Sequence, residues 1–410
     1  MPSDDRLSGL RIALVSPWRA LPCDAAESSL EISERAEQRL LAELRARSAE
    51  TVGVVPAVSG SCQVIDAFEN EWRFEAIDRV SPSQGRSLRS ASLIEAVRHF
   101  DPDIVIMRGT LTLTERLLSN GAHALVTKLS GVPRNQLILS DFILAESARQ
   151  ISFLRRRGGP PSMIIPKALH PAFQRKPSDA TRRDFDAVVI GRLVPVKNLD
   201  LLQPVVDDGY RLAIVGSGPE SDRLQHRWAA NANVTFFGEM PPGKVREVLD
   251  RSSALIHLGF PEGLPRAIVE ALAAGRPVIG LRGTIDAALI DRSTGELVRP
   301  WQLSEALGRL CSHEDPEGLS QAARQRYEER FSSTAFSAAV DRFADWLADW
   351  HESGRELRRR RWGPRARSRA LGSLEQSRRL WPVRTLRRLM APTRTRRLVP
   401  LGQASHRRFH

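Results

Sequence analysis

Short apolar runs rich in Val, Ile and Leu alternate with longer amphipathic stretches along this 410-residue chain. That alternation constrains the fold more than any other feature. A run of four to six apolar residues has no polar face, so a strand built from it must be covered on both sides. The amphipathic stretches between the runs supply the covers, which makes a parallel sheet with helices on both faces. In the first half the runs are Arg11–Ser16, Thr51–Val55, Ile104–Met107 and Ala124–Lys128, with Leu137–Leu139 and Met163–Ile165 as further candidates. Behind the first run, Ser28-x-x-Glu31 offers a capping box, and Ile32, Ala36, Leu40 and Leu44 form an i, i+4 row of a helix. In the second half the runs are Ala187–Ile190, Arg211–Val215, Val234–Phe237, Ala254–Leu258 and Pro277–Gly280. Arg266–Ala274 reads as a helix opened by Pro265 and closed by Gly275. Phe336–Trp350 is amphipathic, with Val340, Phe343, Trp346 and Leu347 on one stripe.

The polar stretch Lys176–Arg183 separates the two series and reads as a linker. The expectation is α/β, with one Rossmann-like domain over 1–176 and another over 184–335, since 410 residues are too many for one ordinary α/β unit. The net charge of +13 divides unevenly. Residues 354–410 carry 18 Arg, no Lys and 2 Glu, leaving the other 353 residues at −3. A near-neutral body with a basic tail speaks to an anionic partner. Arg alternates there with Trp362, Leu371, Leu374, Leu380, Trp381, Leu386, Leu389 and Met390, while Pro364, Pro382, Pro392 and Pro400 interrupt any long helix. An anionic membrane surface, a nucleic acid and a merely solvated tail are the three readings, with nucleic acid the least favoured. No apolar run approaches a membrane span, and the N-terminus does not read as a signal peptide. Cys23, Cys62 and Cys311 are too scattered for a disulfide framework or zinc site, so a reducing, cytoplasmic compartment is expected.

The chemistry-bearing residues concentrate in the second half. Gly191-Arg192-Leu193 closes a strand, and Lys197 follows five residues after Arg192. A guanidinium and an ammonium at the carboxyl end of a parallel strand suit a diphosphate, although both also read as ordinary surface charges. Gly216-Ser217-Gly218 is a strand-to-helix turn that does not continue as GxGxxG, so a dinucleotide fingerprint is not supported. The strongest constellation runs from Phe260 to Ile279. Glu262 precedes a helix start whose free amides and positive dipole end suit an anion. Glu270 lies two turns further on a helix of small residues, where a carboxylate is costly without a partner. Asp101-x-Asp103 and Asp184-x-Asp186 read as turn chemistry rather than metal motifs. His257, inside an apolar run, reads as a core or cleft-edge histidine.

Together GRLVPVKN, LAIVGSGPESDRL, VTFFGEM, EGLPRAIVEALAAGRPVIG and TGELV, from about Asp186 to Arg309, resemble the C-terminal domain of retaining glycosyltransferases of family four. These are the group 1 transferases with the GT-B fold. Weaker similarity covers DFILAESARQISFLRRRGG and MIIPKALHPAF in the first domain. The resemblance implies two Rossmann-like domains facing a cleft, with a basic C-terminal extension over 353–410. It makes 336–352 a helix crossing back to the first domain. Glu262 and Glu270 fit the family's E-x7-E motif. By resemblance Arg192 and Lys197 hold the donor diphosphate, with Gly216 and Gly218 in the donor-binding set. Glu270 bonds the ribose hydroxyls, and Glu262 with the amides of Gly263 and Leu264 faces the transferred sugar.

The implied reaction moves a hexosyl unit from a nucleotide-sugar to a hydroxyl of a glycan or lipid-linked acceptor, with retention. The nucleotide-sugar is a substrate, and neither cofactor nor metal is expected, since Arg, Lys and a helix dipole can neutralise a leaving diphosphate. Such an enzyme would sit in the cytoplasm or peripherally on the inner face of the plasma membrane. The acceptor side is unusual. The loop after the first strand, Ser16-Pro17-Trp18-Arg19, has no glycine, and Ile104–Met107 leads to Arg108-Gly109 where many members place a His. Arg19 and Arg108 are therefore the acceptor-side candidates. A catalytically inactive, glycosyltransferase-like scaffold at a membrane assembly is the main alternative, and an epimerase or phosphorylase on the same fold is a further one.

Overall fold

The computed structural model describes residues 5–16, 35–57, 61–66, 69–76, 79–80, 88–89, 91–108, 123–129, 140–156, 158–176, 183–259, 263–285 and 289–361. The capping pair Ser28 and Glu31, the Leu137–Leu139 run and everything after residue 361 lie outside them.

Two doubly wound sheets form the molecule. The first contains β1 (Arg11–Val15), β2 (Glu50–Ala57), β3 (Cys62–Ile65), β4 (Glu71–Ala76), β7 (Ile104–Met107), β8 (Ala124–Lys128), β9 (Phe142–Ala145) and β10 (Ser162–Ile164), in the order β10-β9-β8-β7-β1-β2-β4-β3. All its pairings are parallel except β3 on β4. A separate two-residue pair joins β5 (Arg79–Val80) to β6 (Leu88–Arg89). Helices α1 (Arg35–Arg45), α2 (Ala91–Phe100) and α3 (Ala148–Arg156) belong to this half. The i, i+4 row acts as expected where it is described, with Leu40 and Leu44 fully buried.

Six strands, β3, β4, β5, β6, β9 and Gly295–Val298 of the second sheet, escaped the sequence reading, and two of them show why. In β4 the alternation is short but real, because Trp72 and Phe74 are buried while Glu71, Arg73 and Glu75 are half-buried. In β9 a four-residue run is buried throughout and merges in sequence with the helix that follows.

The second sheet holds β11 (Phe185–Ile190), β12 (Leu212–Val215), β13 (Val234–Gly238), β14 (Ser252–His257), β15 (Val278–Leu281) and β16 (Gly295–Val298), all parallel. Their order β13-β12-β11-β14-β15-β16 is the dinucleotide-fold order 3-2-1-4-5-6. Its helices are α4 (Gln203–Asp207), α5 (Ser221–Arg227), α6 (Pro242–Asp250), α7 (Arg266–Ala273), α8 (Leu303–Cys311) and α9 (Pro316–Phe331). The chain then runs into α10 (Ser333–Arg361), whose apolar stripe packs in the first half's core. Phe336, Val340, Phe343 and Leu347 are buried there, and Trp346 lies 4.2 Å from Phe142, ring centre to ring centre. Asp341 of α10 takes Arg47 at 2.9 Å and Arg6 at 2.6 Å.

The segment joining the halves is held by arginines. Arg246, fully buried on α6, donates to Asp250 Oδ1 at 2.9 Å and to the carbonyls of Phe173, Arg175 and Lys176. Arg324 on α9 donates to the carbonyls of Phe173, Gln174, Arg175 and Ala273. These two side chains hold the carbonyls of residues 173–176, where the chain leaves the first half. Arg246→Met removes the buried partner of Asp250 Oδ1 while Arg175 stays on Oδ2 at 2.7 Å, and is expected to lower unfolding free energy by about 1–3 kcal/mol. Urea unfolding followed by circular dichroism checks this; a loss below about 1 kcal/mol would show the clamp to be dispensable.

Candidate active site

In a doubly wound sheet the connections diverge at one point, and a crevice opens at the carboxyl ends of the two strands flanking it. In the second sheet those strands are β11 and β14. The segment after β11 begins with Gly191 and Arg192, passes through a 3-10 turn at Pro195–Lys197, and ends at Asn198. Asn198, at φ 51°, turns the chain, and its Nδ2 donates to the carbonyl of Leu258 just after β14 at 3.0 Å. One side-chain bond thus ties the two lips of the crevice. The turn brings Lys197 back over Gly191, where an added Cβ would meet its Nζ at 3.6 Å. Arg192 is exposed beside it.

Gly216 and Gly218 have a different visible duty. A Cβ on Gly216 would come within 2.0 Å of the Gly191 carbonyl, and one on Gly218 within 2.4 Å of the Leu193 carbonyl. Both amides are already engaged, Gly216 N with Gly238 O and Gly218 N with Ser221 Oγ. These glycines let the β11 and β12 loops touch backbone to backbone.

On the β14 side, Phe260, Pro261 and Glu262 lie outside the described residues. Gly263 and Leu264 are buried, and α7 opens at its N-cap Pro265, where no side-chain cap is made among the described residues. Arg266 and Glu270, four apart, share one face of α7. Glu270 is half-buried, and among the described residues no hydrogen bond reaches its carboxylate. Desolvation pushes its pKa up to about 6, held back by Arg266 and Lys167.

A row of charges lies along the carboxyl edge of the first sheet, one from each of four neighbouring strands, and Lys167 at its end bears electrostatically on Glu270. Arg108 follows β7, Lys128 ends β8, Glu146 follows β9 and Lys167 follows β10. Arg108 sits at that sheet's own switch point, its amide bonded to Val15 O of β1. Glu37, 2% exposed in the first turn of α1, takes Lys128 Nζ at 2.9 Å and Arg108 Nη1 at 3.1 Å. Burial alone would raise its pKa, but Lys128 and then Arg108 hold it below the usual carboxylate range. Lys167 pairs with Glu146 at 3.2 Å, and desolvation lowers its pKa against that pairing. Arg19 lies outside the described residues.

Sequence reasoning reached Arg108 but missed Glu37, Lys128, Glu146 and Lys167. A signal existed. Only 5 of the 61 basic residues are lysine, and three of those five, Lys128, Lys167 and Lys197, lie at carboxyl ends of strands or just beyond. The two DxD stretches lie at the opposite, amino edges. Asp103 accepts the Arg11 amide and Asp186 the Arg211 amide, so both serve as strand-end ties. Among the described residues no three His, Cys, Asp or Glu side chains are grouped to hold a metal ion.

Comparison with known proteins falls on this same region. Residues 172–326 match the sequence family described as "Glycosyl transferases group 1". A phosphatidylinositol N-acetylglucosaminyltransferase subunit of Schizosaccharomyces pombe is 30% identical over 129 residues, 29% of this chain and 28% of the relative. A GDP-mannose-dependent alpha-mannosyltransferase of Mycobacterium tuberculosis is 35% identical over 91 residues, 22% of this chain and 23% of the relative. The matches thus span under a third of these relatives' length. Among solved structures, sucrose-phosphate synthase from Thermosynechococcus elongatus superposes with a TM-score of 0.65 at 15% identity, covering 82% of this chain and 99% of that one. The Anabaena protein HepE in complex with UDP-glucose gives a TM-score of 0.62 at 14% identity, covering 82% of this chain and 100% of that one. The architecture is therefore GT-B, two Rossmann-like domains, and the stretch bearing the second crevice, residues 172–326, matches the group 1 glycosyltransferases.

Proposed function

We propose that the chain is a retaining glycosyltransferase that moves a hexosyl unit from a nucleotide-sugar to a hydroxyl acceptor, a glycan or a lipid-linked glycan. The single observation that carries this reading is the second-sheet crevice. The Arg192–Lys197 segment and the opening of α7 lie on its two lips, joined by the Asn198–Leu258 bond, within a segment matching a glycosyltransferase family. Two cations and an uncapped helix start suit a departing diphosphate. The bond from the sugar's anomeric carbon to the diphosphate oxygen breaks, and one to the acceptor oxygen forms on the same face. The acceptor's proton passes to the leaving phosphate, so no protein base is assigned. Glu262 with the Gly263 and Leu264 amides is assigned to the transferred sugar, and Glu270 to the ribose. The relatives' names, one a phosphatidylinositol N-acetylglucosaminyltransferase subunit and one a GDP-mannose-dependent mannosyltransferase, support a lipid-linked or glycan acceptor without choosing the donor sugar.

Arg192→Ala and Lys197→Ala are each expected to cut turnover by at least about tenfold with the fold intact, because each removes a charge-assisted contact to the leaving group. Release of nucleoside diphosphate from a panel of nucleotide-sugars is the assay. Wild-type turnover in both variants would remove the diphosphate assignment, and nucleotide binding without any turnover would favour the scaffold reading. Glu270 supplies a pH signature. Burial pushes its pKa up to about 6, and hydroxyls donating to it favour the ionised form. Affinity for a nucleotide-sugar is therefore full above pH 7 and falls below pH 6, approaching about tenfold per pH unit, while Glu270→Gln flattens the profile. Calorimetric titration between pH 5 and 8 reads this directly.

The Arg-rich stretch 354–410 is assigned to an anionic membrane surface on its composition. No helix among the described residues is long and apolar enough to cross a membrane. Deleting 354–410 is expected to abolish sedimentation with phosphatidylserine vesicles while sparing turnover on a soluble acceptor; unchanged sedimentation would exclude the assignment.

A further inference from the structure

The segment 168–174 carries the chain from the first half towards the second. Ala168 packs in the core of the first half and Leu169 in that of the second. Where the chain changes cores, a cavity of about 370 Å³ opens between this segment and α1. Small-molecule pockets run from roughly 300 to 1,000 Å³, so it has room for one small ligand. Ala42 and Ala46 at the end of α1, with Ala168, Leu169 and Pro171, give it a largely apolar wall. No residue of the candidate crevice lines it.

Three polar side chains complete the lining, Arg39, Glu43 and Gln174, and they are not equivalent. Glu43 is already answered, since its Oε2 accepts from Arg47 Nη1 at 3.0 Å and from Ser337 Oγ at 2.9 Å. Arg39 is not. Its side chain is only 21% exposed, and Glu43 Oε1 stands 4.0 Å from its Nε, too far for a hydrogen bond. The Phe336 ring packs against the guanidinium, its centre 5.5 Å away. Among the described residues neither the Arg39 guanidinium nor the Gln174 carboxamide makes a hydrogen bond. A guanidinium brings five N–H donors, and donors taken largely out of water are costly when no acceptor meets them. Its planar fork matches the two oxygens of a carboxylate. One such cation beside the charge of Glu43 suits a single negative charge better than a dianion.

We propose that this cavity binds a small carboxylic acid with an apolar body, its carboxylate on Arg39 and Gln174 and its hydrocarbon part against Ala42, Ala168, Leu169 and Pro171. Such a ligand touches α1 and the connecting segment together. It therefore pins the stretch whose carbonyls Arg246 and Arg324 also hold. The site stands independently of the nucleotide-sugar reading, because the two share no residue.

The full chain is titrated calorimetrically with butanoate, hexanoate and octanoate, and with 1-hexanol and hexylamine as controls. Affinity for the acids is expected to rise about two- to fourfold for each added methylene, as the apolar wall covers it. The alcohol and the amine are expected to bind at least about tenfold more weakly than hexanoate, since neither offers the fork a pair of acceptors. Arg39→Met keeps the stem without the charge and is expected to weaken hexanoate at least about tenfold. Arg39→Lys keeps the charge without the fork and is expected to fall between the two. Ala42→Leu fills the cavity with Arg39 intact and is expected to weaken hexanoate at least about fivefold, which supplies a second reading if Arg39→Met does not fold. Wild-type protein that binds none of the acids up to about 10 mM overturns the proposal. So does wild-type affinity in Arg39→Met, or in Ala42→Leu if that variant alone folds, because the acids then bind elsewhere. Hexanol binding as tightly as hexanoate overturns it too, leaving an apolar cavity without a carboxylate site.

Discussion

A parallel sheet whose winding reverses cannot cover both of its central strand ends with the same loop. Each half of this protein is built around such a gap, between β1 and β7 in the first sheet and between β11 and β14 in the second. Strand ends at the gap present loops and helix starts rather than side-chain layers. Among the described residues, Arg108 stands at the first of these places and Arg192 and Lys197 at the second. The rest of the fold, including the arginine clamps on the linker and the return of α10 to the first core, keeps the two sheets and their gaps in fixed positions.

The second constraint is charge out of water. Glu37, Glu146 and Glu270 are all removed from solvent to a large degree, and each is answered differently. Glu37 has two cations in contact and stays ionised. Glu146 has one cation on one oxygen. Glu270 has none in contact, and its proton affinity rises accordingly. Buried ion pairs are poor sources of stability, because desolvation offsets most of the attraction. Their arrangement along the edge of four adjacent strands is better understood as positioning: Glu37 anchors Arg108 and Lys128, and Glu146 anchors Lys167.

Much of the fold was legible in the residues. Runs such as Ile104–Met107 and Ala124–Lys128 coincide with β7 and β8, because a fully buried strand leaves an unbroken apolar run. Helix α7 opens at Pro265 and closes just before Gly275, as its punctuation indicates. The strand β9 was lost because its four apolar residues lead straight into an amphipathic helix, and β4 because three alternations are a weak period. Of the candidate crevice, the placement of Arg192 and Lys197 after β11 and of Glu270 on α7 was legible from spacing. The visible duty of Gly216 and Gly218, backbone-to-backbone packing against Gly191 and Leu193, was not, since it depends on a strand neighbour about 25 residues away in the chain.

What the sequence determined by itself was periodicity: which segments are strands, which are helices, where the two series divide, and which motif stands at the end of β14. Those are local properties, carried by side-chain spacing of two and of 3.6 residues. What only the tertiary structure decided was adjacency. Glu37 and Lys128 are 91 positions apart, and Lys167 and Glu270 come from different sheets. Nothing in local spacing marks them as neighbours, because strand order is set by how the helices pack across the sheet. That order alone brings four scattered charged residues onto one sheet edge.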